Sequence, residues 1–139
     1  MGIKIGIVGF GEFSESFLDI FLTHPDVEKV VGAELMPERR EHIMKTFGVK
    51  KMYESYDDML DGESDLDCIG IFTQRHMHGP MVIKALKAGK NVFSAVPMTC
   101  EIDEAKEIIR LAEEKHLIYM AAETCYYFPC AIFCRERYK

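Results

Sequence analysis

The sequence predicts one α/β domain: a doubly wound, mostly parallel, Rossmann-like sheet of about six strands with helices on both faces. Apolar segments of strand composition alternate with segments whose apolar residues recur every three or four positions, as βαβ units require. The strand segments are apolar almost throughout, which is typical of a parallel sheet buried on both faces. The length of 139 residues is that of a single domain.

The first half of the chain alternates strictly between the two kinds of segment. Strands are predicted at 3–8, 29–33 and 51–53, and helices at 13–22, 38–47 and 57–60. The first helix stops at His24 and Pro25, because proline cannot continue a helix. Pro37 suits the first turn of the second helix, and Gly48 suits its end.

The second half repeats this alternation. Strands are predicted at 67–72, 92–95 and 117–121, and helices at 80–88 and 102–112. Gly89 ends the first of these helices, and Pro97 ends the strand that follows it. Glu101, Asp103 and Glu104 place negative charge in the first turn of the last helix, where it suits the helix dipole.

Composition argues against several classes of protein. The formal net charge of −6, from 17 basic and 23 acidic residues, argues against a nucleic-acid partner. The longest uninterrupted apolar run, 126–134, is about half as long as a membrane-spanning helix, and residues 1–8 lack the pattern of a secretion signal. No membrane partner is therefore expected. Five cysteines without a CxxC pair, in a chain with no secretion signal, indicate reduced thiols and a cytoplasmic protein.

No metal site is expected from the polar residues. Cys130 and Cys134 would share one helix face, but two thiols do not make a zinc site. The acidic residues at 57–58 and 61–67 lack the ligand spacing of a calcium loop. We therefore expect this acidic segment to be a solvated face.

A glycine-rich turn joins the first strand to the first helix and reads Gly-Phe-Gly-Glu-Phe-Ser at 9–14, in the context of a dinucleotide fingerprint. Gly9 would make the tight turn, Gly11 would let the backbone approach a pyrophosphate, and Ser14 is small enough for close helix–strand packing. The helix N-terminus would add free N–H groups and partial positive charge. Taken alone, the pattern is also that of an ordinary tight turn.

An acidic residue at the end of the second strand strengthens the dinucleotide interpretation. Glu34 lies 20 residues after Ser14, the distance at which the fingerprint places a carboxylate that binds the adenosine ribose. A carboxylate there repels a 2′-phosphate, so it favours NAD over NADP. Arg39 and Arg40 follow on the next helix and could reach a 2′-phosphate, which leaves NADP open. The alternative role of Glu34 is that of a surface glutamate.

Further segments have the character of one enzyme family. Residues 33–39 read Ala-Glu-Leu-Met-Pro-Glu-Arg, and 67–73 read Asp-Cys-Ile-Gly-Ile-Phe-Thr. His76 and His78 come next, and 85–92 read Ala-Leu-Lys-Ala-Gly-Lys-Asn-Val. With the fingerprint and its acid, nearly the whole chain resembles the nucleotide-binding half of the Gfo/Idh/MocA oxidoreductases, the family of glucose-fructose oxidoreductase and inositol dehydrogenase.

The resemblance implies an NAD(P)-dependent oxidoreductase that transfers a hydride between nicotinamide and a sugar, polyol or related alcohol or aldehyde. It implies that the cofactor contacts Gly9, Phe10, Gly11, Glu12 and Phe13 at the pyrophosphate, Glu34 at the adenosine ribose, and Thr73, His76, His78 and Ala95 on the nicotinamide side. His76 and His78, expected in a loop after the fourth strand, are candidates for proton exchange. Their alternative role is that of solvated loop histidines.

The sequence departs from the family at one chemically important position. Where the family carries Glu-Lys-Pro after the fifth strand, this chain reads Ala95-Val96-Pro97. The resemblance therefore does not supply the lysine that handles the hydroxyl proton. Two alternatives stay open: a non-catalytic NAD-binding regulatory or scaffold domain, and a structural protein that has lost the nucleotide.

The chain is also shorter than the family's members, whose second domain forms the pocket for a small-molecule substrate. We expect 1–125 to be the dinucleotide-binding domain and 126–139 to begin the crossover to a C-terminal substrate domain absent from this chain. A truncated portion of a larger enzyme is favoured over a naturally short relative, and the portion alone is expected to lack catalytic activity. Without that domain the aromatic segment 126–134 would be exposed, so a homo-oligomer is expected.

Overall fold

Strands and helices alternate along the whole of residues 2–138, which the computed structural model describes. The elements are, in order, β1 (Ile3–Val8), α1 (Glu12–Thr23), β2 (Val27–Ala33), α2 (Pro37–Phe47), β3 (Met52–Tyr53), α3 (Tyr56–Gly62), β4 (Cys68–Ile71), α4 (Arg75–Lys87), β5 (Asn91–Ser94), α5 (Ile102–Glu114), β6 (Tyr119–Ala121), a 3₁₀ turn (Thr124–Tyr127) and α6 (Pro129–Arg137). The six strands form one parallel sheet in the order β3-β2-β1-β4-β5-β6. The predicted fold class is confirmed.

The strand order creates a position where a ligand can bind. From β1 the chain moves outward through β2 to β3, and it then returns to place β4 on the other side of β1. Right-handed crossovers in the two directions put helices on opposite faces of the sheet. The connections that leave β1 and β4 therefore part at the carboxyl edge and open a crevice, the usual ligand position in this class of sheet.

An apolar core lies on each face of the sheet. On one face, the strands pack against α3, α4 and α5, which contribute the fully buried side chains of Met59, Val82 and Ile108. On the other face, Leu18 of α1 and Ile43 of α2 pack against β1 and its neighbours. Both faces of β1 are thus covered, as its nearly continuous apolar sequence predicts.

The main difference from the predicted elements is the start of α4. The helix begins at Arg75, five residues before the predicted start at Pro80. Proline favours the first turn of a helix, but Pro80 lies inside α4, where its missing N–H removes one hydrogen bond of the helix. His76 and His78 are consequently helical residues, and the loop predicted to carry them is wrong.

Smaller differences of one to three residues affect the bounds of other elements, such as α3, β2 and β3. α3 covers two turns, Tyr56–Gly62, rather than the single turn predicted at 57–60. Ser55 caps its start by accepting the N–H of Asp58 at 3.1 Å. β2 begins two residues before the predicted strand, and β3 is limited to Met52–Tyr53. These differences leave the order and direction of the strands unchanged.

One acidic residue of the segment predicted as a solvated face, Glu63, is buried instead. The Glu63 side chain is 5% exposed and contacts the ammonium groups of Lys29 and, at 2.9 Å, Lys51. It also accepts a hydrogen bond from the Tyr53 hydroxyl at 2.7 Å. Burial by itself would raise the pKa of Glu63, but the hydrogen bonds from these three side chains outweigh burial and lower the pKa to about 2.

Replacing Glu63 with glutamine is expected to lower the free energy of unfolding by about 2 kcal/mol, because two lysines lose their charged partner. On folding, the pKa of Glu63 falls from 4.5 to about 2. Its stabilisation is therefore complete above about pH 5 and is lost as the pH falls towards about 2. Chemical denaturation at neutral pH and near pH 3 should show the difference between wild type and Glu63→Gln shrinking at the lower pH. A difference independent of pH would contradict the role of the charge.

The sheet face that carries α1 is open beyond β1. A cavity of about 770 Å³ lies over β4, β5 and β6 and is lined by aromatic side chains such as Phe17, Phe72 and Phe93. Phe13, which also lines it, is 51% exposed. α6 packs mainly against the 3₁₀ turn rather than over this surface, and the aromatic side chains of 126–134 are exposed. The expected association through this segment stays a prediction.

The structure bears on two further expectations, the absence of a membrane span and the absence of a metal site. Among residues 2–138, every helix is too short or too polar to traverse a lipid bilayer. Within the same described part of the chain, no three His, Cys, Asp or Glu side chains are grouped so that they could hold a metal ion.

Candidate functional site

The crevice beside β1 and β4 contains a cavity of about 510 Å³. Its walls come from residues that follow β1, β2, β3 and β4 and from the first turns of α4. Among the lining residues are Gly9, Gly11, Glu34, Arg39, Thr73 and Gln74. The glycine-rich turn and the acid 20 residues beyond it therefore meet at one place, as their spacing predicts.

The two glycines of the turn after β1 have different surroundings and different backbone conformations. Gly9 has a φ of 84°, and an added Cβ would lie 3.0 Å from the Phe72 carbonyl and the Thr73 methyl group. Gly11 has an ordinary φ of −92°, and an added Cβ would meet no atom within 4 Å. The fold thus explains only Gly9, and the space in front of Gly11 is available to a ligand.

The start of α1 leaves backbone donors available beside this space. Gly11 is the N-cap of the helix, and no side chain caps the first N–H groups. Ser14, the third fingerprint position, is buried and donates its hydroxyl to the Gly11 carbonyl at 2.8 Å. Uncapped N–H groups at the positive end of a helix dipole are a common binding site for phosphate.

Glu34 is fixed in place at the end of β2. Its carboxylate accepts the N–H of Phe10 at 2.9 Å through Oε2 and the N–H of Met36 at 3.0 Å through Oε1. The residue is 9% exposed and lines the cavity. Each carboxylate oxygen keeps a further lone pair, so Glu34 can still accept the hydroxyl groups of a ribose.

The two arginines after Glu34 have different surroundings. The Arg40 guanidinium donates to the carbonyls of Glu34 at 2.8 Å and Leu35 at 3.0 Å. It also donates to the Glu54 carboxylate at 3.2 Å. Arg40 therefore stabilises the loop after β2. Arg39 instead lines the cavity, where its guanidinium could contact a 2′-phosphate.

The predicted cofactor residues divide into two groups. Gly9, Phe10, Gly11, Glu34 and Thr73 line the cavity, and Glu12, Phe13, His76, His78 and Ala95 do not. The Phe10 side chain is buried against Gly32 in the core, and its N–H is bonded to Glu34 rather than free for a pyrophosphate. Phe13 packs with Phe17 and Phe72 beside the open apolar face.

The two histidines expected in a loop lie in the first turns of α4 instead. His76 is exposed there. His78 is 2% exposed, and its ring nitrogens contact the carbonyl oxygens of Pro97 at 2.7 Å and Thr73 at 2.9 Å. The expected loop position is wrong for both residues. Because both ring nitrogens of His78 are engaged by the backbone, neither is left for proton exchange with a substrate.

The sequence does not predict the part that α4 plays in the cavity. Met77 and Met81 both line it. They are four residues apart and share one face of α4, because the helix begins at Arg75. With that start, their spacing would have predicted that both face the same side. The predicted helix start at Pro80 leaves Met77 outside the helix, so the spacing of the two methionines is not recognised.

The cavity suits a dinucleotide on three grounds taken together. A side chain at Gly11 would occupy space that no protein atom fills. The uncapped start of α1 lies beside that space, and the Glu34 carboxylate retains free lone pairs. Gly11 and the first turn of α1 would hold the pyrophosphate of NAD, and Glu34 would hold its adenosine ribose.

Known proteins share this sequence and fold. The model of the oxidoreductase family GFO_IDH_MocA, an NAD-binding Rossmann fold, matches residues 3–123. An uncharacterised protein of Saccharomyces cerevisiae is 30% identical over 139 residues, which cover 97% of this chain and 40% of that protein. Trans-1,2-dihydrobenzene-1,2-diol dehydrogenase of Mus musculus is 28% identical over 98% of this chain and 41% of that enzyme.

A solved structure agrees in fold. Scyllo-inositol dehydrogenase from Lactobacillus casei, with bound NAD(H) and scyllo-inositol, has a TM-score of 0.88 at 23% identity and covers 98% of this chain and 40% of that one. The chain spans about two fifths of the length of the relatives it matches. Both glycines of the turn and Glu34 lie within the residues that the family model matches. The chain therefore belongs to the Gfo/Idh/MocA family of oxidoreductases, as an NAD-binding Rossmann domain.

Proposed function

We propose that this chain is the cofactor-binding part of an oxidoreductase that interconverts a sugar, polyol or related alcohol with its carbonyl product. The proposal rests on one observation: the open space at Gly11 and the fixed carboxylate of Glu34 face the same cavity. The first admits a pyrophosphate and the second accepts ribose hydroxyls. Together they favour a dinucleotide over a lone phosphate.

In this proposal the bound nicotinamide supplies the hydride acceptor or donor. The chain's own residues hold and orient the cofactor. Gly9 and Gly11 shape the turn, the start of α1 balances the pyrophosphate charge, and Glu34 fixes the adenosine end. Removal of the alcohol proton needs a general base, and Val96, which is 41% exposed, has no titratable group. We assign the base to a part of the enzyme outside this chain, so this chain alone should not turn over substrate.

A polyhydroxylated small molecule is the proposed substrate. The mouse relative is by its name a diol dehydrogenase, and the structural relative was solved with scyllo-inositol. In this proposal residues 1–125 form the dinucleotide domain, and 126–139 lead into a second domain that closes the substrate pocket. We place the protein in the cytoplasm and expect it to form a homo-oligomer.

A non-catalytic NAD-binding regulatory or scaffold domain is the second candidate. Val96 favours it, because the family's lysine position is apolar in this chain. Both candidates share the cofactor site, so cofactor binding does not separate them. The coding sequence beyond Lys139 does: a second domain that carries a histidine and a carboxylate supports the enzyme, and a stop codon supports the binding module.

Cofactor preference tests the proposed site. NADH is expected to bind more tightly than NADPH, because a 2′-phosphate would approach the Glu34 carboxylate. Arg39 is the group that offsets this repulsion. Arg39→Ala should weaken NADPH binding about fivefold and NADH binding by less than about twofold. Fluorescence titration of the chain with each cofactor measures both changes.

Arg40→Ala is the matched control for Arg39→Ala. The Arg40 side chain is bonded to backbone carbonyls of the loop after β2, so its loss should lower the melting temperature. The ratio of the NADH and NADPH affinities should stay at its wild-type value. Equal weakening of both cofactors in Arg39→Ala would contradict a contact with the 2′-phosphate.

A further inference from the structure

His78 is buried between the ends of β4 and β5. The proposed function gives this residue no role. It is 2% exposed, whereas the other four of the five histidines are exposed. Each polar atom of a buried imidazole needs a hydrogen-bond partner. The identity of its partners therefore indicates what the residue does.

Both ring nitrogens of His78 meet acceptors. Nδ1 lies 2.7 Å from the carbonyl oxygen of Pro97, and Nε2 lies 2.9 Å from the carbonyl oxygen of Thr73. A backbone carbonyl can only accept, and a neutral imidazole has one N–H group. A neutral ring can therefore donate to only one of these two carbonyls, whereas an imidazolium ion can donate to both.

The two carbonyls belong to segments that leave neighbouring strands. Thr73 follows β4 and lines the cavity, and Pro97 follows β5. Pairing along the sheet continues to the N–H of Ala95, which donates to the Ile71 carbonyl at 2.9 Å. Beyond this bond, the His78 ring bridges the two departing segments.

A carboxylate lies close to this junction and suits a positive ring. The Glu104 side chain, on α5, packs against the backbone at Gly79, the residue after His78, and leaves no room for a Cβ there. Glu104 also accepts a hydrogen bond from the Thr99 hydroxyl, two residues after Pro97. Negative charge is thus held beside the first turns of α4.

We propose that His78, in its doubly protonated form, is a positioning residue for the nicotinamide half of the cofactor site. With the adenosine ribose held by Glu34 at the end of β2, a dinucleotide lying across the crevice extends towards the ends of β4 and β5. His78 fixes the separation of Thr73 and Pro97 at those ends. This inference rests on the proposed cofactor function.

Phenylalanine at position 78 keeps an aromatic ring and removes both donors. His78→Phe should weaken NADH binding about tenfold and leave the affinity for ADP, which reports the adenosine half alone, within about twofold. His78→Gln, which keeps one donor group, should recover part of the NADH affinity. His42→Phe is the control: the same change at an exposed site outside the cavity should leave both affinities unchanged.

The two ligands separate the possible failures. Equal losses of NADH and ADP affinity in His78→Phe would show a general structural role and overturn the positioning proposal alone. A folded wild-type chain that binds neither NADH nor ADP would overturn the cofactor function, and the inference about His78 with it.

The protonation of His78 also has a direct readout in the unmodified chain. Long-range ¹H–¹⁵N spectra at neutral pH should show one histidine with both ring nitrogens protonated, and that signal should be absent from His78→Phe. An unprotonated nitrogen on the His78 ring would overturn the proposal, whether or not the variants fold.

Discussion

Threonine in place of Gly11 is expected to abolish dinucleotide binding while leaving the fold intact. An added Cβ meets no protein atom within 4 Å, and a φ of −92° suits any residue. Threonine is about as good an N-cap as glycine, so the free energy of unfolding should change by less than about 0.5 kcal/mol. The new side chain fills the space that a pyrophosphate needs, so NADH affinity should fall at least about 100-fold.

Gly9→Ala is the contrasting variant in the same turn. Its φ of 84° and its 3.0 Å approach to the Phe72 carbonyl leave no relaxed place for a methyl group. We expect the free energy of unfolding to fall by about 2 kcal/mol. Chemical denaturation and NADH titration of both variants distinguish the two roles. Normal NADH binding by Gly11→Thr would show that the pyrophosphate lies elsewhere.

Alanine in place of Glu34 is expected to weaken NADH binding by about 3 kcal/mol, roughly 100-fold. The reason is the loss of two hydrogen bonds from ribose hydroxyls to a charged acceptor. The same change leaves the N–H of Phe10 without its acceptor at the end of β1. The free energy of unfolding should therefore also fall by about 1–2 kcal/mol, and binding has to be measured where circular dichroism shows the variant folded.

Glu34→Gln removes the negative charge and also replaces one of the two accepting oxygens with an NH2 group. The amide keeps the size of the side chain and one carbonyl oxygen, but it no longer repels a 2′-phosphate. The ratio of the NADH and NADPH affinities should therefore fall about tenfold, mostly through tighter NADPH binding. An unchanged ratio in a folded variant would show that Glu34 does not face the adenosine ribose.

The features that the sequence predicts correctly are those encoded within single βαβ units. The strand at 3–8, the turn with Gly9 and the following helix are adjacent along the chain, so hydrophobic period and glycine position suffice to identify them. The position of Glu34 relative to the glycine-rich turn is predicted for the same reason. Only one helix and one strand separate the two in the sequence, and their lengths fix the distance.

The features that the sequence does not predict depend on contacts between distant segments. Glu63 directly follows α3, and its buried carboxylate is paired with Lys29 of β2, 34 residues away. The ring of His78 is held by the Pro97 carbonyl, 19 residues on, and no local pattern signals that bond. The start of α4 is missed for a different reason: Pro80 imitates a helix start and hides the real one at Arg75.

The central claim is that the cavity beside Gly11 and Glu34 binds a nicotinamide dinucleotide, and titration calorimetry of the 139-residue chain with NADH tests it most directly. NADPH and the Gly11→Thr variant are titrated in parallel. We expect saturable binding of NADH, weaker binding of NADPH, and no binding by Gly11→Thr. A folded wild-type chain that binds neither cofactor at millimolar concentration would contradict the claim.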